Sequence, residues 1–437
     1  MRTMKNSGVE WIGEIPKDWE IHRMKSCISE RTSGAWGNEA TGKDGDIICL
    51  RIADFDYSKF RFKDSPIDEL TRRNYDKDTI DRLSLCKGDI LIEKSGGGEK
   101  TPVGRTVIFD KDYNALYANF MDRLRCTKLV TTVWMQYVFV VFYKNDYSKN
   151  YVKQTTGIQN LDLTSMLANE RIPIPPISEQ QSIADFLDTQ CAHIDSVIEK
   201  TRAAIEEYKK LKQAVITQAV TKGIRPNREM KDSGIEWIGE IPKEWDTLFA
   251  FQVFEQVKNK NTGLIESNLL SLSYGKIIRK SIDTTFGLLP ESFEGYNIIN
   301  EDDIVLRLTD LQNDHKSLRV GITKQKGIIT SAYLTLRNNS KSCPDYLYYY
   351  LHSFDVAKGF YGMGAGVRQG LNWNELKHLI ILCPPENEQT EIVSFLNCKI
   401  PEIDSLISKK EQLITELEAY KKSLIYEYVT GKKEVLV

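Results

Sequence analysis

Two stretches of this chain carry apolar residues at helical spacing over more than forty positions, and the remainder alternates on a shorter period. In the first stretch, residues 178–222 contain neither glycine nor proline, which predicts a helix of about 67 Å at 1.5 Å rise per residue. Ile194, Val197, Thr201, Ile205, Tyr208, Leu211 and Val215 fall on one heptad-like stripe, stopped by Gly223. In the second stretch, Ile403, Leu406, Leu413, Leu417, Tyr420 and Leu424 form the equivalent stripe. Pro401 lies near its start and is expected to break or kink that helix. Pro175-Pro176 and Pro384-Pro385 favour extended lead-ins, and Ser178 ahead of Glu179 reads as a helix cap. Each stripe needs a partner, and two helices of one kind and similar length predict an antiparallel pair.

The shorter period occupies residues 20–174 and 246–383, where β-branched and aromatic runs are broken by Gly, Asn and Asp. That pattern predicts mixed sheet with some helix. Self-comparison ties the pieces together. Met4 to Trp19, MKNSGVEWIGEIPKDW, returns at Met230 to Trp245 as MKDSGIEWIGEIPKEW, with 13 of 16 residues identical. Pro175 to Thr221 aligns without gaps to Pro384 to Thr430, with 18 of 47 identical. Fainter echoes link the blocks: Gly88-Asp89-Ile90-Leu91-Ile92 with Asp302-Asp303-Ile304-Val305-Leu306, Val103-Gly104 with Val320-Gly321, and Leu124-Arg125 with Leu336-Arg337. The expected fold is α+β: two homologous mixed α/β domains joined by two long helices that pair as an antiparallel coiled coil. The expected boundaries are 1–174 and 227–383 for the domains, and 175–226 and 384–437 for the helical regions.

Composition narrows the function. Lys and Arg number 59 against 61 Asp and Glu over 437 residues, a balance without the strongly basic arm or acidic tail of a polyelectrolyte binder. Divided by segment, the block at 20–174 has a surplus of two basic residues and that at 246–383 a surplus of one, so the helical segments hold the acidic excess. No apolar run approaches membrane-spanning length, the longest being Tyr137 to Tyr143, and the first residues lack a signal-peptide core. A cytoplasmic protein is expected. The eight cysteines and five histidines are dispersed without zinc-site spacing, which leaves no metal site to predict.

Candidate chemistry fails on spacing. In Ser95-Gly96-Gly97-Gly98-Glu99-Lys100-Thr101, Glu99 separates the glycine from the lysine that a phosphate loop needs adjacent. Glu93 and Lys94 are neighbours on a strand and point to opposite faces, so Asp89, Glu93 and Lys94 do not make a nuclease metal site. What remains suits binding. The loops at 155–160 and 366–372 offer Gln159, Asn160, Arg368, Gln369 and Asn372, whose paired donors and acceptors match base edges in the major groove. Lys94 and Ser95, and Arg307 and Thr309, follow the two Asp-Ile strands at equivalent points, and Arg105 completes the candidate set. A two-block protein scaffold with a helical spacer is the alternative that composition leaves open.

The doubled S-G-[VI]-E-W-I-G-E-I-P-K-x-W segment (Ser7 to Trp19, Ser233 to Trp245) and the doubled P-P-x-x-E-Q-x-x-I-x-x-F-L (Pro175 to Leu187, Pro384 to Leu396) resemble the specificity subunits of type I restriction-modification systems. The resemblance implies two target-recognition domains, each reading half of a bipartite, asymmetric double-stranded DNA site. It implies that the helix pair sets the unread gap and docks two adenine methyltransferase subunits, which restriction subunits then join. This chain would be non-catalytic and bind no cofactor; S-adenosylmethionine, ATP and magnesium would belong to the partners. Exchanging residues 20–174 with those of a relative is expected to change one half of the methylated sequence, read by long-read mapping of modified adenines; changes in both halves would contradict modular reading.

Overall fold

A computed structural model describes residues 2–435 apart from 43–44, 100, 156, 283–291, 312–317 and 364–369. The chain forms two compact units, residues 1–202 with 411–437 and residues 203–410. Both boundaries fall inside long helices rather than at their ends, because the helices are part of each unit's core and not separate bodies.

The first unit opens with an antiparallel hairpin, Met4–Asn6 on Glu14–Pro16. Strand Glu20–Arg23 then pairs with Arg171–Ile174, the strand that leads directly into the first long helix, Ile177–Lys222. Between them lie a six-stranded and a four-stranded sheet, each mixing parallel and antiparallel pairs. Helix Thr132–Lys144 is buried from Trp134 to Phe142 without a polar face. The longest apolar run of the sequence therefore belongs to a core helix; among the described residues no helix is long and apolar enough to cross a membrane.

The second unit repeats the plan. Hairpin Met230–Asp232 with Glu240–Pro242 is followed by Asp246–Phe249 paired with Ile380–Cys383, which precedes the second long helix, Glu386–Val429. Four strands match in order: Phe254–Gln256, Leu334–Asn338, Ile304–Leu306 and Val320–Ile322 stand where the first unit has Ile28–Ser33, Met121–Cys126, Ile90–Glu93 and Thr106–Ile108. The Asp-Ile and Leu-Arg echoes meet in space. Ile90 lies opposite Leu124 and Ile304 opposite Leu336, so Arg125 Nε donates to Asp89 Oδ1 at 2.8 Å and Arg337 Nε to Asp303 Oδ1 at 2.8 Å. The Val-Gly pairs are not equivalent: Ile90 faces Ile108 and Ile304 faces Ile322, which matches Val320 with Thr106 and Arg319 with Arg105.

The two duplicated motifs meet as well. Glu179, in the first turn of its helix, receives Arg2 Nη2 at 2.8 Å and Trp19 Nε1 at 2.9 Å. Glu388 receives Arg228 Nη2 at 2.9 Å, while Trp245 Nε1 has no hydrogen-bond partner among the described residues. The next residue closes a second joint. Gln180 accepts from Thr131 N at 2.8 Å and donates to Pro175 O; Gln389 accepts from Cys343 N at 2.7 Å and donates to Pro384 O. Thr131 and Cys343 are the N-caps of the two core helices, Thr132–Lys144 and Pro344–Val356.

Within each unit the long helices run antiparallel. In the first, Asp195 pairs with Lys421 at 2.7 Å and Arg202 with Glu418 at 3.2 Å; in the second, Lys212 pairs with Asp404 at 2.7 Å and the Lys410 ammonium lies 5.7 Å from the Tyr208 ring. Three expectations need correction. Ser178 does not cap the helix, which begins at Ile177 directly after the prolines. The second helix continues through Pro401, which is exposed; Leu396 and Ile403, buried on either side, hold it against a penalty of roughly 3 kcal/mol. The packing stripe is also rotated. Ile194, Ile205, Ile403 and Leu424 are buried, and Val197, Tyr208, Val215 and Leu417 are half-buried, whereas Leu211, Leu406, Leu413 and Tyr420 are exposed. Thr201 of the stripe is buried as expected, and Ile198, Ile216 and Ala219, outside it, are buried too; Lys212 and Lys421, paired across the helices, hide the true register from an apolar count.

Glu388→Ala is expected to destabilise the second unit by about 1–2 kcal/mol, since it removes one of the two carboxylates on a nearly buried guanidinium, which keeps Glu244. Urea unfolding monitored by tryptophan fluorescence checks this, with Glu179→Ala as the counterpart in the first unit.

Candidate nucleic-acid interface

In each unit the strand that begins with Asp89 or Asp303 runs out into a loop, and that loop is docked on a second loop further along the chain. In the first unit, Lys94 O accepts from Leu161 N at 2.8 Å, Gly96 N donates to Gln159 O at 3.0 Å, and Ser95 Oγ donates to Asn160 Oδ1 at 2.7 Å. In the second, Leu308 O accepts from Leu371 N at 2.9 Å. Gly96 and Asp310 occupy the same point of the two loops, and both have positive φ, 113° and 58°, a turn that glycine makes freely and aspartate tolerates. The structure thus brings together the paired segments that sequence separated by some sixty residues.

The side chains divide sharply between outward and inward. Strands Val152–Thr155 and Ile158–Leu161 form a hairpin in which Ile158 and Asn160 are exposed, while Gln159 and Leu161 are buried. Gln159 is therefore no base reader in this structure: its Oε1 accepts from Val103 N at 3.3 Å and braces the loop from inside. Arg105 is also turned inward. Its Nε and Nη2 bind the two oxygens of buried Glu93 at 2.7 and 2.8 Å, and its guanidinium stacks 3.6 Å from the Tyr57 ring. Burial pushes the Glu93 carboxyl above the usual carboxylate range, and Arg105 opposes that rise.

Lys94 reaches the loop base, where its ammonium contacts Asp122 Oδ1 at 2.7 Å and Ser33 Oγ at 2.8 Å. Burial alone would raise the Asp122 carboxyl, but Lys94, Arg31 and Ser33 hold it below its ordinary value. Ser95 and Asn160 stay at the surface as a hydrogen-bonded pair. In the second unit Arg307 is half-buried and Thr309 exposed. Asn372 is exposed, but its Oδ1 caps the short helix Trp373–Leu376 by accepting from Asn374 N at 2.8 Å. Asp162 does the same for Leu163–Asn169. Arg368 and Gln369 lie outside the described residues.

One neighbour of the first loop carried no signal in the sequence. Phe120 sits in the turn after Ala115–Tyr117, and its carbonyl accepts from both Lys94 N and Ser95 N, at 2.9 and 3.3 Å. Its side chain is 47% exposed, beside an equally exposed Ile158 at 50%. An apolar residue in a strand-like run reads as core until the turn around it is known.

In each unit the two loops thus dock at the same place on equivalent strands, with inward-facing supports and different exposed side chains. Residues 39–207 match the type I restriction modification DNA specificity domain. The chain is 25% identical over 436 residues to the putative type I restriction enzyme MjaX specificity subunit of Methanocaldococcus jannaschii, covering 97% of this chain and 96% of that one. It is 23% identical over 365 residues to the StySPI specificity subunit of Salmonella potsdam, covering 79% and 74%. Among solved structures, the fold is similar to a chain from a study of complex assembly and conformational transition of the type I R-M system (TM-score 0.67, 12% identity, 96% of this chain and 99% of that one). It is also similar to the HsdS subunit from Thermoanaerobacter tengcongensis (TM-score 0.52, 12% identity, 96% and 98%). Along nearly its whole length the chain is therefore similar to type I restriction enzyme specificity subunits, and residues 39–207 match their DNA specificity domain.

Arg105→Ala tests the inward reading of that residue. Leaving the Glu93 carboxylate buried and unpaired is expected to cost about 3 kcal/mol or more. With Arg105 gone the folded-state pKa of Glu93 rises further, so the loss should be smaller at pH 5 than at pH 8; denaturant titrations at the two pH values measure it.

Proposed function

We propose that this chain is the DNA sequence-specificity subunit of a type I restriction-modification complex, with each unit reading one half of a bipartite asymmetric site. The observation that carries this reading is that both units dock the same two loops at the same place on equivalent strands, yet present different surface residues: Ser95, Asn160, Phe120 and Ile158 in one, Thr309 and Asp310 in the other. A shared scaffold with divergent exposed side chains is what two different half-sites require.

The chain would supply recognition, and its partners the chemistry. Adenine methyl transfer and DNA cleavage would belong to methyltransferase and restriction subunits, which would also hold S-adenosylmethionine, ATP and magnesium. The paired helices would serve as the spacer between half-sites. Among the described residues, exposed large apolar side chains on the long helices are Ile177, Leu413 and Tyr420 in the first unit and Leu211 and Leu406 in the second. These suit one methyltransferase partner per unit.

The test is to express the chain with its methyltransferase partner and map modified adenines. A split motif with a fixed unread gap is expected, and the purified chain alone should neither methylate nor cut DNA with methyl donor and magnesium present. Methylation at an undivided motif, or activity of the isolated chain, would overturn the proposal.

A further inference from the structure

We infer that Arg319 is the positioning residue of the recognition loop in the second unit, a post that Arg105, taken up by Glu93, does not fill in the first. The inference rests on the proposed reading of these loops and assigns the residue that sets the shape of the second unit's. Arg319 is 0% exposed, and three carbonyls of one loop segment converge on its guanidinium. Its Nη1 donates to Arg307 O at 3.0 Å and Thr309 O at 2.9 Å, and its Nη2 to Asp310 O at 3.3 Å. Nε donates to Tyr361 Oη at 3.2 Å, and the guanidinium lies 5.3 Å from that ring. Its own backbone N–H is fixed by Asp355 Oδ2 at 2.6 Å.

A buried guanidinium must satisfy its donors, and its planar fork fixes the directions in which acceptors are found. Drawing the carbonyls of residues 307, 309 and 310 inward dictates the loop's backbone, and Thr309 and Asp310 are exposed as a result. Arg105 occupies the same strand position: Arg105 O accepts from Glu93 N at 2.8 Å, as Arg319 O accepts from Arg307 N at 2.9 Å. Both arginines lie against a tyrosine ring, Tyr57 or Tyr361. The difference between them has a local cause. The first unit offers Glu93 at the facing position, and its carboxylate takes the guanidinium; the second has Arg307 there, so Arg319 reaches past it to the loop carbonyls.

The experiment uses the full chain in complex with its methyltransferase partner, and DNA libraries that vary one half-site at a time. Arg319→Lys is expected to lower base discrimination in the second unit's half-site roughly tenfold or more. Discrimination in the other half should stay unchanged, as should the dependence of affinity on salt, because no phosphate contact is lost. Tyr361→Phe removes only one of the four side-chain hydrogen bonds, and should give a smaller loss confined to the same half-site as Arg319→Lys; it carries the test if the lysine variant does not fold. Unchanged discrimination in both halves, or equal loss in both with a lowered melting temperature, would overturn the assignment. A salt slope reduced by about one would instead mark a phosphate contact. A wild-type complex without any half-site preference would overturn the proposed function itself, an outcome separate from a discriminating wild type whose variants are unaffected.

Discussion

The architecture depends on a paired carboxylate at the start of each long helix, half-buried in the first and buried in the second. Glu179 and Glu388 lie in the first helical turn, where the exposed backbone N–H groups favour negative charge, and each is met by a guanidinium from the N-terminal segment of its own unit. The neighbouring Gln180 and Gln389 fasten the N-terminus of a buried helix to the same point. One Glu-Gln pair thus joins three elements of a unit: the opening hairpin, the core helix and the long helix. The matching of the two duplicated motifs in sequence is the trace of this contact, since neither motif is complete without the other.

From that joint each unit builds outward to its two docked loops. The Asp89–Arg125 and Asp303–Arg337 pairs lock the strands at their base, and the loops at the far end are held by buried polar groups rather than by their own sequence. Rigid support behind variable side chains lets one fold present different reading surfaces. The same logic separates Arg105 and Gln159 from Asn160: all three are polar loop residues, but only the last faces out.

The helix seam follows a similar rule of mixed composition. Lys421 with Asp195 and Lys212 with Asp404 are the same interaction written twice, at equivalent positions of the repeat. Charged residues in a packed seam define register at some cost in stability, and here they also mislead a reading based on apolar spacing, which placed Leu211, Leu406, Leu413 and Tyr420 inside when they lie outside.

The sequence by itself determined the duplication, the two long helices, the mixed α/β character of the blocks and the recurrence of the Asp-Ile and Leu-Arg segments in both, because each is a matter of periodicity or of repeated residues. It could not decide which face of a helix was buried, whether Pro401 would end one, or which way Gln159, Arg105 and Asn372 would point. Those outcomes turn on long-range packing: neighbours on both sides carry a helix across a proline, a carboxylate from an adjacent strand claims an arginine, and a helix N-terminus claims an asparagine. Local residue type states what a side chain can bind, and only the tertiary structure decides which partner reaches it first.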